Sequence, residues 1–134
     1  MIIDSSVLVA IVKDEPEAPA FEQIMQDTDQ ALRISAANWF EAAIVADGMR
    51  IAELSLRFDR IVERTNLEIM AVTPEHTTLA RDAYRAYGKG SGHKAQLNYG
   101  DCFAYALAVQ TGEPLLFKGN DFSQTDVAVA QLGY

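Results

Sequence analysis

Short apolar segments with the composition of β-strands alternate along the chain with longer segments of helical spacing, and this alternation limits the fold more than any other feature. A helix between two strands carries the chain back along the sheet, so that the strands run parallel. We therefore predict an α/β fold of three layers, in which helices cover both faces of a parallel sheet. The predicted strands are Met1–Ile3, Leu32–Ser35, Leu67–Val72, Leu115–Phe117 and Val127–Val129.

Residues that favour helix ends mark the helical segments. Ser5 and Ser6 precede an apolar helix from Val7 to about Lys13, and Pro16 suits the first turn of the next helix. Apolar residues from Ile51 to Val62 recur at helical spacing, which predicts an amphipathic helix. The other predicted helices are Ala36–Asp47, Pro74–Tyr87 and 100–112.

One domain is predicted for residues 1–134, because a chain of this length builds a single core. The only cysteine, Cys102, lies in an apolar run and is predicted to be a small core residue, so that no intramolecular disulfide can form. No basic segment precedes the first strand, and the longest apolar stretch, Val7–Val12, is far shorter than a membrane span. We expect a soluble, cytoplasmic protein with no membrane partner.

The net charge of −8 argues against passive binding to nucleic acid, because an acidic protein repels a polyanion unless basic residues are concentrated locally. Such a concentration occurs just ahead of Asp101, in and beside a glycine-rich loop at 88–94 that is predicted to be flexible. Its members are Arg81, Arg85, Lys89, His93 and Lys94. Bound cations would neutralise a further part of the acidic charge.

Four acidic residues that lie far apart in the sequence fall where the predicted fold brings them to one end of the sheet. They are Asp4, Glu41, Asp101 and Asp121. In open α/β sheets, binding sites form at the carboxyl ends of the strands. Clustered carboxylates repel one another unless a divalent cation holds them, and we therefore predict a metal-dependent site that cleaves phosphodiesters.

Three of these residues also have an ordinary structural explanation. Asp4 and Asp101 each stand at the start of a helix and suit an N-cap, and Asp121 suits a turn. Asp126 lies shortly after Asp121 and could replace it as the fourth carboxylate.

Glu41 is harder to explain by local structure alone. Its neighbours one helical turn away, Ala37, Ile44 and Val45, predict that this face of the helix is apolar and faces the core. An unpaired charge on such a face is costly. Glu41 therefore requires a partner, either a basic residue or a metal ion.

The predicted metal is Mg²⁺, with Mn²⁺ as an alternative, because oxygen ligands without a histidine or cysteine cluster favour these ions over zinc. The two histidines are His76, predicted to be exposed at a helix start, and His93 in the basic loop. No nucleophile elbow, Walker A sequence or dinucleotide-binding glycine pattern is present.

Two other classes of acidic Mg²⁺ site are possible alternatives. A phosphatase of the HAD type requires a second aspartate two residues after the nucleophilic one, where this chain has Ser6. A receiver domain requires an acidic pair after its first strand and an aspartate after a central one, where this chain has Thr73. Both patterns are incomplete.

Three stretches of the chain, MIIDSSVLVAIVKDEPEA, FEAAIV and YGKGSGHKAQLNYGDCFAYALAVQTGEPLLFKGNDFSQTDV, carry a resemblance to a known family. They resemble the PIN-domain ribonucleases, and closely the VapC toxins of bacterial type II toxin–antitoxin pairs. The resemblance covers essentially the whole chain, and its last stretch is the most specific. It implies a PIN fold with a parallel sheet of about five strands and helices on both sides.

The same resemblance implies a Mg²⁺- or Mn²⁺-dependent endoribonuclease, a homodimer, and a VapB-like antitoxin that blocks the site. It places the family's four acidic positions on Asp4, Glu41, Asp101 and Asp121, with Asp4 and Asp101 as direct metal ligands. A catalytically silent PIN module that serves only as a partner remains the alternative.

Two further positions follow from the resemblance. Ser6 holds the polar position after the first aspartate, and Asn120 stands where close relatives often carry another acid. The second departure leaves open whether Asp121 alone, or Asp121 with Asp126, completes the site.

In the predicted mechanism, a metal-activated water attacks phosphorus in line, and Asp121 or Glu41 orients or deprotonates that water. Lys89 and Lys94 are predicted to contact RNA phosphates.

A site for the antitoxin is predicted on the helices at 16–30 and 51–65, where an apolar groove would suit an antitoxin helix. The arginines at 57, 60 and 64 lie on the polar side of the second helix and could meet an acidic antitoxin segment.

Overall fold

The computed structural model describes residues 1–130, and residues 131–134, which the predicted domain includes, lie outside the described part. The strands are β1 (Ile2–Ile3), β2 (Arg33–Ser35), β3 (Glu68–Met70) and β4 (Leu115–Leu116). The helices are α1 (Ser5–Val12), α2 (Ala18–Asp27), α3 (Ala36–Gly48), α4 (Ala52–Arg64), α5 (Pro74–Tyr87) and α6 (Tyr99–Thr111), followed by a short 3₁₀ turn (Phe122–Gln124).

All four strands run parallel, in the order β3-β2-β1-β4. Ile2 of β1 pairs with Arg33 on one side and with Leu115 on the other. The carboxyl ends of the strands therefore meet at one edge of the sheet, with β1 in the interior.

The fifth predicted strand, Val127–Val129, is reduced to a single bridge between Leu115 and Val129. Leu115 N donates to Ala128 O at 2.8 Å, and Ala130 N donates to Leu115 O at 2.9 Å, so that Leu115 is the only residue of β4 that pairs with this segment. Within residues 1–130 the sheet thus has four strands rather than five, because β4 is too short to support a longer ladder.

Two apolar clusters lie on opposite faces of the sheet, as the alternation of side chains along a strand requires. Ile3 belongs to the cluster that contains Leu8 and Phe58, on the side of helices α1 to α4. Ile2 belongs to the cluster that contains Leu97 and Leu107, on the side of α5 and α6. The predicted α/β architecture, with a parallel sheet between two layers of helices, is confirmed.

His76 is buried, with 6% of its surface exposed, whereas an exposed position was predicted. Its Nε2 lies 3.2 Å from Oε1 of Gln110, because α5 packs along α6 from its first turn. The sequence shows only that His76 begins a helix, and not that a second helix covers that turn.

Among residues 1–130, none of the helices combines the length and the apolar character needed to cross a membrane.

Candidate active site

Asp4 follows β1 directly and lies at the carboxyl edge of the sheet, with 3% of its surface exposed. It is the N-cap of α1, since its Oδ2 accepts a hydrogen bond from Ser6 N at 3.1 Å. Its Oδ1 is buried and has no hydrogen-bond partner within the described chain. The pKa of Asp4 is raised to about 6, chiefly by burial and to a smaller extent by the Asp101 and Glu41 carboxylates, while the hydrogen bonds from Ser6 act to lower it.

Glu41 lies on α3 and accepts a hydrogen bond at Oε1 from the Ser5 hydroxyl. The buried residues of α3 are Asn38, Ala42, Ala43 and Ala46. Ile44 is 54% exposed, so the prediction that Glu41 shares a core-facing face with Ile44 is wrong. The described residues offer Glu41 no basic partner at salt-bridge distance, and Ser5 holds it instead.

The backbone of α6 passes close to Glu41 because position 100 is glycine. A β-carbon on Gly100 would lie 2.7 Å from Glu41 Oε1, which is closer than van der Waals contact permits. Asn38, which is fully buried, donates from Nδ2 to Gly100 O at 2.9 Å and fixes this approach of α3 to α6.

Asp101 lies in the first turn of α6 and is half-buried. It forms a capping box with Asn98: Asp101 N donates to Asn98 Oδ1 at 2.9 Å, and Asn98 N donates to Asp101 Oδ2 at 3.0 Å. Burial raises the pKa of Asp101, as do the Asp121 and Glu41 carboxylates, whereas the bond from Asn98 and the charge of Lys89 lower it.

Asp121 and Asn120 follow β4 through Gly119, whose positive φ of 98° favours glycine. Both side chains are exposed, and Asp121 makes no capping hydrogen bond to the 3₁₀ turn that it precedes. Its charge acts on Asp101.

Asp126 has a different contact. Tyr105 donates its hydroxyl to Asp126 Oδ1 at 2.5 Å, and burial together with this bond raises the pKa of Tyr105. Asp126 therefore holds the segment after β4 against α6, whereas the charge of Asp121 acts on Asp101.

The four predicted carboxylates influence one another through space. Asp4 is affected by Asp101 and Glu41, and Asp101 is affected by Glu41 and Asp121. In the described part of the chain, no three acidic, histidine or cysteine side chains already converge on one ion position. The donor set nevertheless suits a hard divalent cation, because it consists of carboxylate oxygens and includes the buried Asp4 Oδ1, which lacks a donor.

Three residues that position these carboxylates were not predicted from the sequence: Ser5, Asn38 and Asn98. Asn38 could have been found, since it precedes Glu41 by three residues and thus lies near it on the same helix. Ser6 also contributes to the site. Its hydroxyl accepts a hydrogen bond from Lys118 N at 3.0 Å, and this bond joins the start of α1 to the segment after β4.

The basic loop lies beside the carboxylates, with Lys89 and Lys94 exposed. Its two ends are held together, since Lys89 N donates to Leu97 O at 2.9 Å and Leu97 N donates to Tyr87 O at 2.8 Å. His93 contacts the Tyr87 ring edge-on, with 4.9 Å between the ring centres.

A groove of about 590 Å³ lies between α2 and α4, at the predicted antitoxin site. Its lining is mostly charged rather than apolar as predicted, because it combines arginines of α4 with acidic residues from three parts of the chain. The charged residues that line it are Asp14, Glu22, Glu53, Arg57, Arg60 and Arg64.

Comparison with known proteins gives close relatives over nearly the full length. The PIN-domain family profile matches residues 1–128. Ribonuclease VapC28 of Mycobacterium tuberculosis is 44% identical over 127 residues, which cover 95% of each chain. Ribonuclease VapC30 of the same organism is 45% identical over 133 residues, which cover 98% of this chain and 99% of the relative.

Solved structures with the same fold have much lower sequence identity. The crystal structure of M. tuberculosis VapC20, described as a sarcin–ricin loop cleaving toxin, matches with a TM-score of 0.75 and 13% identity over 97% of this chain and 98% of the other. A toxin–antitoxin complex from Klebsiella pneumoniae matches with a TM-score of 0.71 and 15% identity over 96% and 95%. These two structures confirm the fold, while the family profile and the two M. tuberculosis relatives confirm the predicted family resemblance and disfavour the phosphatase and receiver alternatives.

Replacement of Asp4 by Asn should make stability less dependent on pH. Asn keeps the capping oxygen but cannot ionise. Because the folded-state pKa of about 6 lies above the ordinary 3.8, the contribution of Asp4 to stability is fully present below 3.8 and is lost as the pH rises through 6. In EDTA, we expect the free energy of unfolding of the wild type to fall relative to that of Asp4→Asn over this interval.

Urea unfolding at a series of pH values tests this expectation, with the exposed Asp59→Asn as the matched control. A difference between wild type and Asp4→Asn that does not change with pH would contradict it.

Proposed function

The chain belongs to the PIN-domain family, with VapC ribonucleases among its relatives, and on that basis we propose that it is a metal-dependent endoribonuclease that acts as the toxin of a toxin–antitoxin pair. What supports this proposal is the electrostatic influence of Asp101 and Glu41 on Asp4 and of Glu41 and Asp121 on Asp101, beside the buried Asp4 Oδ1 that has no hydrogen-bond partner among residues 1–130. We further propose that residues 1–134 form a single PIN domain.

Asp4 and Asp101 would hold Mg²⁺ or Mn²⁺, and Glu41 and Asp121 would complete the cage. When bound, such an ion supplies a water of lowered pKa and offsets the charge of the phosphodiester. Burial raises the pKa of the Cys102 thiol to about 11, so this thiol stays protonated and is a poor metal ligand. The remaining donors are carboxylate oxygens, which agree with the choice of Mg²⁺ or Mn²⁺.

The two remaining carboxylates differ in their freedom to act on the attacking water. Glu41 Oε1 is engaged by Ser5, which fixes the orientation of the side chain. Asp121 is exposed and makes no capping bond, so it is the better placed of the two to accept a proton. Lys89 and Lys94 would hold RNA phosphates at the entrance to the site.

The charged groove between α2 and α4 is the proposed site for a VapB-like antitoxin. Arg60 and Arg64 are exposed and lie one helical turn apart, an arrangement that an acidic segment can pair with. An antitoxin bound in the groove would need to extend toward the carboxylates to block them.

A homodimer is proposed as well, supported by exposed Phe40 and Ile44 one turn apart on α3.

Asp101→Asn should abolish metal-dependent cleavage, because Asn keeps the acceptor for Asn98 N and loses the charge. With an RNA pool and added Mg²⁺ or Mn²⁺, we expect a rate loss of at least about a hundredfold, equivalent to about 2.7 kcal/mol. EDTA should stop cleavage by the wild type. The control Asp59→Asn should cut normally, and equal cutting by Asp101→Asn and the wild type would refute the assignment of the site.

A second pair of variants separates Asp121 from Asp126. We expect Asp121→Asn to lose cleavage with an unchanged unfolding midpoint, since its side chain is exposed. Asp126→Asn should lower the midpoint, because it weakens the bond from the buried Tyr105, and should retain most of the cleavage of the folded protein. The reverse pattern would assign the fourth carboxylate to Asp126.

The antitoxin site is tested by reversing the charge of Arg60 and Arg64 together. Titration calorimetry of the double variant with a VapB-like antitoxin that binds the wild-type protein should give a dissociation constant at least about tenfold higher than that of the wild type. RNA cleavage should be unchanged, because the groove is formed by other helices than those that carry Asp101. The control is Arg50→Glu, an exposed arginine outside the groove, and unaffected binding by the double variant would reject the groove.

A further inference from the structure

A second cavity, of about 680 Å³, opens between α5 and the first turn of α6. Tyr84, Tyr99 and Phe103 supply aromatic side chains to its lining, and Ala80 and Cys102 make the lining mostly apolar. The volume falls within the range of roughly 300–1,000 Å³ that is typical of ligand sites. The cavity is separate from the charged groove between α2 and α4.

The cavity adjoins the carboxylate cluster. Asn98 lines the cavity and is also the capping partner of Asp101, with hydrogen bonds of 2.9 and 3.0 Å between them. Lys89 lines the cavity as well, and its charge acts on the Asp101 carboxylate. A polymeric ligand bound at Asp101 could therefore place its next unit in the cavity without a long spacer between the two sites.

The aromatic lining is unusually exposed for side chains of this size. Tyr99 is 80% exposed, and its ring meets that of Phe103 at 77°, with 5.0 Å between the ring centres. Tyr84 is 50% exposed, and its hydroxyl donates to Lys89 O at 3.1 Å. Exposed aromatic surface beside a reactive site is typical of a binding surface.

Two cations border this aromatic surface. Arg81 and Lys89 both line the cavity, and neither has a carboxylate within salt-bridge distance among residues 1–130. In a protein with a net charge of −8, two such cations beside an apolar cavity favour an anionic ligand with a flat, apolar part. A nucleotide of single-stranded RNA has both properties.

We propose that the cavity binds one unpaired RNA base, stacked on Tyr99, from a nucleotide next to the phosphodiester that is cut. Lys89 and Arg81 hold the adjoining phosphates. Stacking on exposed aromatic side chains combined with phosphate contacts is the general way in which proteins bind single strands. The inference rests on the proposed ribonuclease function and adds a subsite for the substrate to it.

The test measures binding of fluorescently labelled single-stranded oligoribonucleotides, with and without an abasic site at successive positions. All variants carry Asp101→Asn, so that the RNA stays intact. Tyr99→Ala removes the ring, Tyr99→Phe keeps it, and Val109→Ala is the control, an exposed position at the other end of the same helix.

We expect Tyr99→Ala to weaken binding about tenfold and Tyr99→Phe to restore it. An abasic site at one position should weaken binding of RNA to the Tyr99-containing protein by a similar factor. The same abasic site should not weaken the binding of RNA to Tyr99→Ala any further, because the base and the Tyr99 ring form a single contact that either change removes. Equal affinities for all variants, independent abasic and Tyr99 effects, or no RNA binding at all would overturn the proposal.

Two other results have distinct meanings. If Tyr99→Ala changes the mass of the protein in sedimentation and leaves RNA affinity unchanged, the cavity is a contact between two copies of the chain and the proposal is wrong. Failure of the ribonuclease function itself would appear as absence of metal-dependent cleavage by the wild-type protein. Failure of the cavity proposal alone leaves that cleavage in place.

Discussion

Desolvation of the Asp4 carboxylate is the constraint on which the arrangement of the site depends. A carboxylate at the end of a fully buried strand is costly, and two further carboxylates beside it add repulsion. Hydrogen bonds from neighbouring polar residues offset part of this desolvation and repulsion. Ser6 donates to Asp4, Ser5 donates to Glu41, and Asn98 caps Asp101. The negative charge that these contacts leave uncompensated is what would favour binding of the proposed cation.

The close approach of α3 and α6 is the second requirement, because it unites carboxylates from different parts of the chain. Glycine at position 100 permits the contact with Glu41, and the buried Asn38 secures it through a bond to the Gly100 carbonyl. A β-carbon at position 100 would collide with the Glu41 carboxylate, so a larger residue there would push the two helices apart. The aromatic cavity lies next to the carboxylates as well, since Asn98 lines the cavity and caps the turn that carries Asp101.

Much of this arrangement could be predicted from the sequence, because strand ends and helix starts have local signatures. Asp4 and Asp101 were located in that way. The surroundings of a side chain are a tertiary property and were predicted less well: Ile44 is exposed although its helix is apolar, and His76 is covered by a helix distant in sequence. The choice between Asp121 and Asp126 depends on Tyr105, which no local pattern connects to either.

Gly100 has a further consequence for the local stability of α6. Glycine inside a helix costs about 1 kcal/mol relative to alanine, and here it occupies the first turn, where backbone donors have no intrahelical partners. The capping box between Asn98 and Asp101 therefore has to hold a turn that is intrinsically weak. Opening of that turn alone would release Asp101 while leaving the apolar remainder of α6 folded. Backbone amides of the first turn should accordingly exchange with solvent sooner than those around Leu107, which is fully buried, so that the carboxylate cluster would lose a member before the rest of the helix unfolds.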